Sequence, residues 1–485
     1  MVKDLLFKIE EVDDALRSHT VPYYNSRIVL NVRDNVARVQ VPYDINDILL
    51  MGALTNSDVL LSGKTGSAKS HLSRMAMNGL FGENGFTNLT VTPGLNESDF
   101  IDVDVEGVKN GEKSLKEAIE TTPLLTRPGA IVNEINRTPE ILQNIFIGYL
   151  ERNFSLKGVE FPVGVALMEG RNGAQDPHYQ FRVVSINEGQ EYSGTSGIDR
   201  AVRDRVALEV PMDYFRPRKE DGREMVRKRN EAGLTVDKIN GGRLEQILDA
   251  VKILESGDVP VAISAEEFLT YLQGLDNCIQ SATYSKRGIN FNPGKTCAGC
   301  KHSKIPESNK GNICGSVYAP SGRSLINLKK LARAVAAVRA YKIIDAVARG
   351  DIEGLGSDSD KRRFVGDYLE KFQVTLDDVT AIAPLILANK MDLDQRWVDQ
   401  EFQGSKYEAM KHLLYVAEKK FKNFVGSSVY GQLIKTDGLI TDGIRSSLDT
   451  YVRESDPWVY NLADLSSGAY GKTDHAKAKL RDVIK

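Results

Sequence analysis

At 485 residues the chain is too long for one hydrophobic core, so two to four domains are expected. Apolar residues make up 41% and charged residues 27%, the balance of a soluble globular protein, and a net charge of −3 gives no overall pull toward nucleic acid or an anionic membrane. No uninterrupted apolar run approaches the roughly 18 residues of a membrane span, and the acidic residues within Met1–Asp14 come too early for a secretory signal; cytoplasmic residence without a membrane partner is the expectation.

Residues 4–18 read as an amphipathic helix, and 27–41 alternate around Asp34-Asn35 as a hairpin would. From about Asp44 the pattern changes to short, mostly apolar runs at 58–63, 88–92, 129–133, 181–186 and 205–210, with helical segments between several of them. Runs of this kind, bounded by polar residues or Gly and Pro, are strands of a parallel sheet buried on both faces, which implies a doubly wound α/β domain. The clearest intervening helix is 139–151, with Thr138 placed to cap it and Pro139 in its first turn. Residues 99–114 and 153–170 read as two hairpins inserted before the third and fourth strands. Beyond Tyr214 the composition turns helical. The strongest candidate is 324–349, ending at Gly350, then a Gly/Asp/Ser loop at 351–362 and further helices at 362–373, 377–390 and 404–423.

The most informative segment is Gly63-Lys64-Thr65-Gly66-Ser67-Ala68-Lys69-Ser70, between a β run and a helical stretch. Backbone N–H groups of such a loop form a nest for phosphate, the following helix presents its positive end, and Lys69 reaches the β- and γ-phosphates. The Ser70 hydroxyl can ligate Mg²⁺. Ala68 stands where a glycine usually precedes the lysine, and alanine is the smallest substitute. A Gly-rich turn with an incidental lysine is the alternative reading.

Gly129–Pro139 narrows the choice. It is a buried strand ending in Asn133-Glu134, expected beside the phosphate-loop strand. The usual pair is Asp-Glu, with the aspartate holding Mg²⁺ through water and the glutamate polarising the attacking water. Here the base candidate Glu134 is present, while Asn133 keeps an acceptor oxygen and loses the charge. Phe181–Asn187 is another buried strand with a polar end at Asn187, positioned to touch the γ-phosphate or the water. Ala201–Val206 carries Arg203 and Arg205 into the last strand, where an arginine could face a neighbouring subunit's nucleotide.

In this order the motifs resemble an AAA+ ATPase of the MoxR type. Members carry a Gly-x-x-Gly-x-Ala-Lys-Ser/Thr loop, so Ala68 agrees with the family. Glu134-Ile-Asn-Arg137 is similar to the family's Asp-Glu-Ile-Asn-Arg, Ser185-Ile-Asn187 falls at its sensor-1 position, and Glu191–Thr195 with Asp204-Arg205 resembles Glu-x-x-Gly-Thr and Asp-Arg-Phe. Ser321-Gly-Arg-Ser-Leu325 resembles the lid's sensor-2 helix, and Asp377–Met391 its last helix. The likeness covers roughly residues 44–392. Departures are Asn133, Lys64-Thr65 and Glu188 where prolines are frequent, and the cysteine segment.

The resemblance implies an organisation in four parts: an N-terminal helix and hairpin (1–43), the AAA+ nucleotide-binding α/β domain (44–214), a helical lid (215–424) and a C-terminal extension (425–485). It implies an ATP-driven homo-oligomeric ring, usually a hexamer, and chaperone-like remodelling of a protein client, often with a von Willebrand factor A partner. Lys69, Ser70, Glu134 and Asn187 would act in cis, Arg205 in trans with Arg137 and Arg203 as rivals, and Arg323 as the lid's sensor of the γ-phosphate. Two other classes remain: a nucleotide-gated scaffold that barely hydrolyses because of Asn133, and a nucleic-acid motor of the restriction-translocase type. Near-neutral charge argues against the latter, although Lys109 and Lys113 keep it in view. A metal-chelatase motor is a near relative of the leading reading.

All four cysteines fall between 278 and 314. The Cys297-x-x-Cys300 knuckle, Cys314 and Cys278 offer four thiolates, which suits tetrahedral Zn²⁺ in a lid insertion at about 278–320. His302 could replace Cys278. Disulfides are disfavoured in a reducing cytosol, and an iron–sulfur cluster would use the same four ligands. Lys295, Lys301, Lys304 and Lys310 make the segment basic, as a solvated loop or a docking surface would be.

Overall fold

The computed structural model describes residues 1–20, 28–95, 99–112, 119–139, 143–156, 159–167, 178–188, 197–215, 242–273, 320–352, 354–391, 393 and 395–427. These fall into two compact units, Met1–Pro260 with Lys330–Phe372, and Val261–Lys329 with Gln373–Lys485, each within its described residues.

The first unit opens with helix α1 (Val2–His19), strands β1 (Ile28–Asp34) and β2 (Val39–Asp44), and helix α2 (Ile45–Leu54). Every residue of α2 is buried, and its start is fixed by a capping box in which Asp44 accepts from the Asn46 and Asp47 N–H groups while Asp47 accepts from the Asp44 N–H. Strand β3 (Val59–Gly63) leads into α3 (Lys69–Phe81), and β4 (Phe86–Thr90) follows. Next come β5 (Ile101–Val103), α4 (Val105–Lys109), β6 (Ile119–Thr121), α5 (Pro123–Thr126), β7 (Gly129–Asn133) and α6 (Ile145–Leu150). Two short antiparallel pairs, β8 (Asn153–Leu156) with β9 (Val159–Pro162) and β10 (Val165–Ala166) with β11 (His178–Tyr179), precede β12 (Phe181–Asn187), α7 (Arg200–Arg205), β13 (Leu208–Pro211) and α8 (Leu244–Glu255).

The central sheet has the order β13-β3-β12-β7-β4 with every neighbouring pair parallel. Strands β3, β7 and β12 are buried along their whole length, as their continuous apolar runs require. On one side Phe100, Phe146, Tyr149 and Phe154 form an aromatic cluster with the sheet's Val132 and Val184. Arg182 is fully buried on β12 and grips Asp58 with two hydrogen bonds of 2.8 Å, so the only charge that could be tolerated there is a paired one.

The second unit contains α9 (Ile263–Gln273), the first turns of α10 (Gly322–Arg349), and, after α11 (Asp358–Glu370) of the first unit, the helices α12 (Leu376–Leu387), α13 (Gln395–Phe402) and α14 (Lys406–Ser427). Helices α9, α12 and α14 pack together, with Phe268 and Phe421 edge to face at 5.4 Å.

The sheet class agrees with the sequence reading, and several details differ. The strand expected at 88–92 is Phe86–Thr90, and the one expected at 205–210 begins at Leu208 because Arg200–Arg205 is helical, started by the Asp199 carboxylate accepting from the Ala201 N–H. The segment read as a hairpin over 99–114 is a pair of three-residue strands, β5 and β6, separated by α4, whose start Asp104 caps through the Gly107 N–H. The helix expected over 139–151 is described as Ile145–Leu150, and the residues Thr138 was expected to cap, 140–142, lie outside the described residues; the Thr138 Oγ1 donates to the Thr92 carbonyl. Helix α11 starts four residues before the expected 362 because Ser357 caps it at the Asp360 N–H. Helix α13 was not expected at all. Strand β7 does not lie beside β3: β12 stands between them. The C-terminal extension beyond 427 and the cysteines Cys278, Cys297, Cys300 and Cys314 lie outside the described residues.

Candidate nucleotide-binding site

Strand β3 ends at Gly63, whose φ of 144° is a conformation side-chain-bearing residues rarely adopt, and an added Cβ would crowd the Asp213 carboxyl carbon at 3.2 Å. The loop then turns through Lys64, Thr65, Gly66 (φ 85°), Ser67 and Ala68 before α3 begins at Lys69. The Lys64 N–H donates to Asp213 Oδ2 at 2.8 Å, which anchors the loop to the residue following β13 by two positions. Ala68 is left-handed (φ 66°, ψ 19°). The Leu72 N–H donates back to its carbonyl at 3.0 Å, so the helix starts directly behind the turn.

Lys69 is buried, and its ammonium donates to the Gly63 carbonyl at 2.7 Å, the Lys64 carbonyl at 2.8 Å and Ser67 Oγ at 3.1 Å. Burial pushes its pKa down, and the Asp213, Glu134 and Glu188 carboxylates act against that shift. All three donors of the ammonium therefore have acceptors within the loop, at the N-terminus of a 13-residue helix whose dipole favours an anion.

The ends of β7 and β12 supply the remaining groups. Asn187 pairs with Gly63 across the sheet, which places it beside the loop's entry. Its Nδ2 donates to Glu134 Oε1 at 2.8 Å, and Glu134 Oε2 meets Arg137 Nε at 2.5 Å. Glu134 is itself left-handed (φ 60°, ψ 44°), the first residue after β7, and a short 3₁₀ turn over Ile135–Arg137 follows. Asn136 Nδ2 donates to the Asn187 carbonyl at 2.9 Å and ties the two strand ends together. A carboxylate in this position can accept a proton from water, and the neighbouring amide fixes its orientation.

Asn133 is enclosed by polar neutral groups. Its Oδ1 accepts from Ser70 Oγ at 3.1 Å and from Ser185 Oγ at 3.3 Å, and its Nδ2 donates to Asn88 Oδ1 at 2.7 Å. The Mg²⁺ implied by the family resemblance would need oxygen ligands, commonly one or two of them carboxylates beside the substrate phosphates. Here the group that bonds Ser70 is an amide, and Glu134 is engaged by Asn187 and Arg137. Among the described residues no group of three or more His, Cys, Asp or Glu side chains could hold a metal. Ser70 and Asn133 offer neutral oxygens only, so the donor set does not fit a metal anchored by the chain's own charge.

The arginines divide. Arg203 joins Glu209 at 2.9 and 2.7 Å and Glu188 at 2.9 Å. Burial works against its charge, and the Glu209 and Glu188 carboxylates outweigh it, so its pKa is held up; burial likewise raises that of Glu188. Arg205 binds Glu151 at 2.9 Å and the Ala201 carbonyl at 2.8 Å. Arg137 is half exposed beside Glu134. Arg323 is exposed in the first turn of α10 and belongs to the second unit.

The fold thus gathers Gly63–Ser70, Asn133, Glu134 and Asn187 at one end of the sheet. Sequence reasoning missed Asn88 and Asp213 as members of the site. Each is a polar residue in or just beyond a mostly apolar run, a signal shared with many strand ends, and only the strand order gives it meaning.

No protein-family model matches the chain, and no curated protein matches it in sequence. In fold it is similar to a crystal structure described as that of a "putative ATPase" from Cytophaga hutchinsonii, with a TM-score of 0.50 at 16% identity, covering 85% of this chain and 96% of that one. The complex between subunits BchI and BchD of magnesium chelatase also matches, at a TM-score of 0.28 and 15% identity, covering 75% of this chain and 99% of that one; a likeness this distant carries no weight for the fold. The first likeness establishes a shared α/β fold, in keeping with the parallel five-stranded sheet and the loop after β3. Among the described residues no helix is long and apolar enough to cross a membrane.

Proposed function

We propose that the chain binds and hydrolyses ATP as an AAA+ ATPase of the MoxR type, acting in a homo-oligomeric ring to remodel or assemble a protein partner. The observation that carries this reading is the Asn187–Glu134 hydrogen bond of 2.8 Å, made where β12 and β7 end beside the Lys69 loop. A carboxylate oriented by an amide next to the lysine-bearing loop supports reading Glu134 as the base and the loop as its phosphate cradle.

In this reading the loop N–H groups, the α3 N-terminus and Lys69 hold the β- and γ-phosphates. Glu134 orients a water and takes its proton as the water oxygen bonds to the γ-phosphorus; the bond from the γ-phosphorus to the β-γ bridging oxygen breaks, and that oxygen leaves with the electron pair as part of ADP while the γ-phosphate is released as phosphate. Asn187 holds the carboxylate in position. Arg205 of a neighbouring protomer supplies positive charge to the transferring group, and Arg323 reports the γ-phosphate to the lid. Because the donor set around Asn133 is neutral, no step is assigned to Mg²⁺.

The ring of six, the protein client and a von Willebrand factor A partner rest on the sequence resemblance, as does cytoplasmic residence. Structural Zn²⁺ at Cys278, Cys297, Cys300 and Cys314 rests on the thiolate spacing. Elemental analysis of purified protein should return close to one zinc per chain, lost on Cys297→Ser; a metal-free chain with intact stability would remove zinc from the account.

The deciding experiment for the enzyme is steady-state ATP hydrolysis by the wild type and Glu134→Gln. Loss of the base should lower turnover by at least about a hundredfold while nucleotide binding is retained. Equal rates would sink the motor and favour the second reading, a nucleotide-gated scaffold, which the uncharged Asn133 specifically supports.

A further inference from the structure

We propose, resting on the nucleotide reading above, that this site binds its nucleoside triphosphate without a divalent cation, because the positive charge that offsets the phosphates comes from the chain itself. The basis is the closed set of neutral groups at the point where a metal anchor would stand. Ser70 Oγ and Ser185 Oγ both donate to Asn133 Oδ1, at 3.1 and 3.3 Å, and Asn133 Nδ2 donates to Asn88 Oδ1 at 2.7 Å. An aspartate at position 133 would repel a bare triphosphate, and a cation between them would be needed to relieve that repulsion. The amide removes the repulsion and, with it, the need for the cation.

The remaining acids near the loop are answered by donors of the chain. Glu134 is held by Asn187 at 2.8 Å and Arg137 at 2.5 Å, Glu188 by Arg203 at 2.9 Å, and Asp213 accepts the Lys64 N–H at 2.8 Å. The loop is flanked by two lysines, Lys64 exposed at its start and Lys69 buried at its end, where α3 begins. In a partly desolvated site each such charge acts on a phosphate more strongly than it would in water. The balance of charges around the loop is therefore suited to a bare polyanion, with Lys69 and the α3 N-terminus as its main partners.

The test is calorimetric titration of the full-length chain with a non-hydrolysable ATP analogue, once with excess Mg²⁺ and once with excess EDTA. The expected change in Kd between the two is under about threefold. Asn133→Asp should restore cation dependence, with binding in EDTA weakened by about tenfold or more relative to Mg²⁺. Should that variant not fold, Ser70→Ala serves in its place: it removes a metal-ligating hydroxyl and should leave the ratio of the two affinities as in the wild type. Tenfold weaker wild-type binding in EDTA overturns the inference and leaves the nucleotide reading standing, as does a Ser70→Ala loss confined to the Mg²⁺ arm. Absence of binding in both arms overturns the nucleotide reading itself, and the inference with it.

Discussion

Ala68 adopts φ 66° and ψ 19°, a left-handed conformation that costs an alanine roughly 1–2 kcal/mol. The turn is needed because Lys69 must begin a helix directly after a loop whose carbonyls it bonds. The sequence showed a small residue before the lysine; that this residue carries backbone strain appears only from the geometry. Asp13 is a second instance. It is buried and accepts from Arg17 Nε at 2.8 and 2.9 Å, an arrangement that on its own would lower its pKa. Yet Arg17 is shared with Asp44 at 2.8 Å and Asp47 at 2.7 Å, and burial, with Asp47 adding to it, prevails, so that Asp13 is pushed up to about 6. A carboxyl raised from its unfolded 3.8 stabilises the fold when protonated. That contribution is complete below about pH 4 and is lost as pH rises through about 6. Asp13→Asn, which cannot ionise, should therefore gain on the wild type between pH 4 and pH 7 by an amount on the order of 1 kcal/mol in urea denaturation. A wild type that gains on the variant over this interval would mean that the ion pair with Arg17 outweighs burial.

Among elements, the contact of α1 with α3 shows how a small residue decides a packing distance. Gly79 lies on α3, and a Cβ there would stand 2.8 Å from the Ala15 carbonyl oxygen and 2.9 Å from Leu16 Cα, both backbone atoms of α1. Neither can move aside as a flexible side chain would. Gly79→Ala should destabilise the protein by roughly 1–3 kcal/mol, partly offset by alanine's better helix propensity, and thermal unfolding would register it. An unchanged or raised Tm would show that α1 is free to shift. The amphipathic pattern of 4–18 announced α1, because one apolar face at helical spacing is a local property. The close approach is not legible in the sequence: it depends on Gly79 meeting the backbone of Ala15, 64 residues earlier in the chain. The start of α11 is set by the Ser357 cap rather than by apolar spacing, so the apolar pattern alone places it too late.

At the scale of the whole molecule, the proposed ring makes a prediction that no single protomer can satisfy. Arg205 binds Glu151 within its own chain, so it must exchange partners to serve a neighbour. Arg205→Ala and Glu134→Gln should each be inactive alone. Mixed together they should recover part of the wild-type rate, since some sites would join an intact Glu134 to an intact Arg205 from the adjacent protomer. Recovery absent under conditions where the two variants co-assemble would assign Arg205 a role inside its own chain.

Sequence by itself determined the class of the sheet and marked out the loop Gly63–Ser70 with Glu134 and Asn187 as candidates, because each is a short segment recognisable from its own residue types and spacing. Tertiary structure alone decided the strand order β13-β3-β12-β7-β4, which sets β12 between the loop strand and β7. That order brings Ser70 to Asn133 across 63 residues, and Asn88 to Asn133 across 45. The reason is physical: parallel strands joined by crossovers leave their order unspecified by any local pattern, and the neutral surroundings of Asn133 exist only once three strand ends lie side by side.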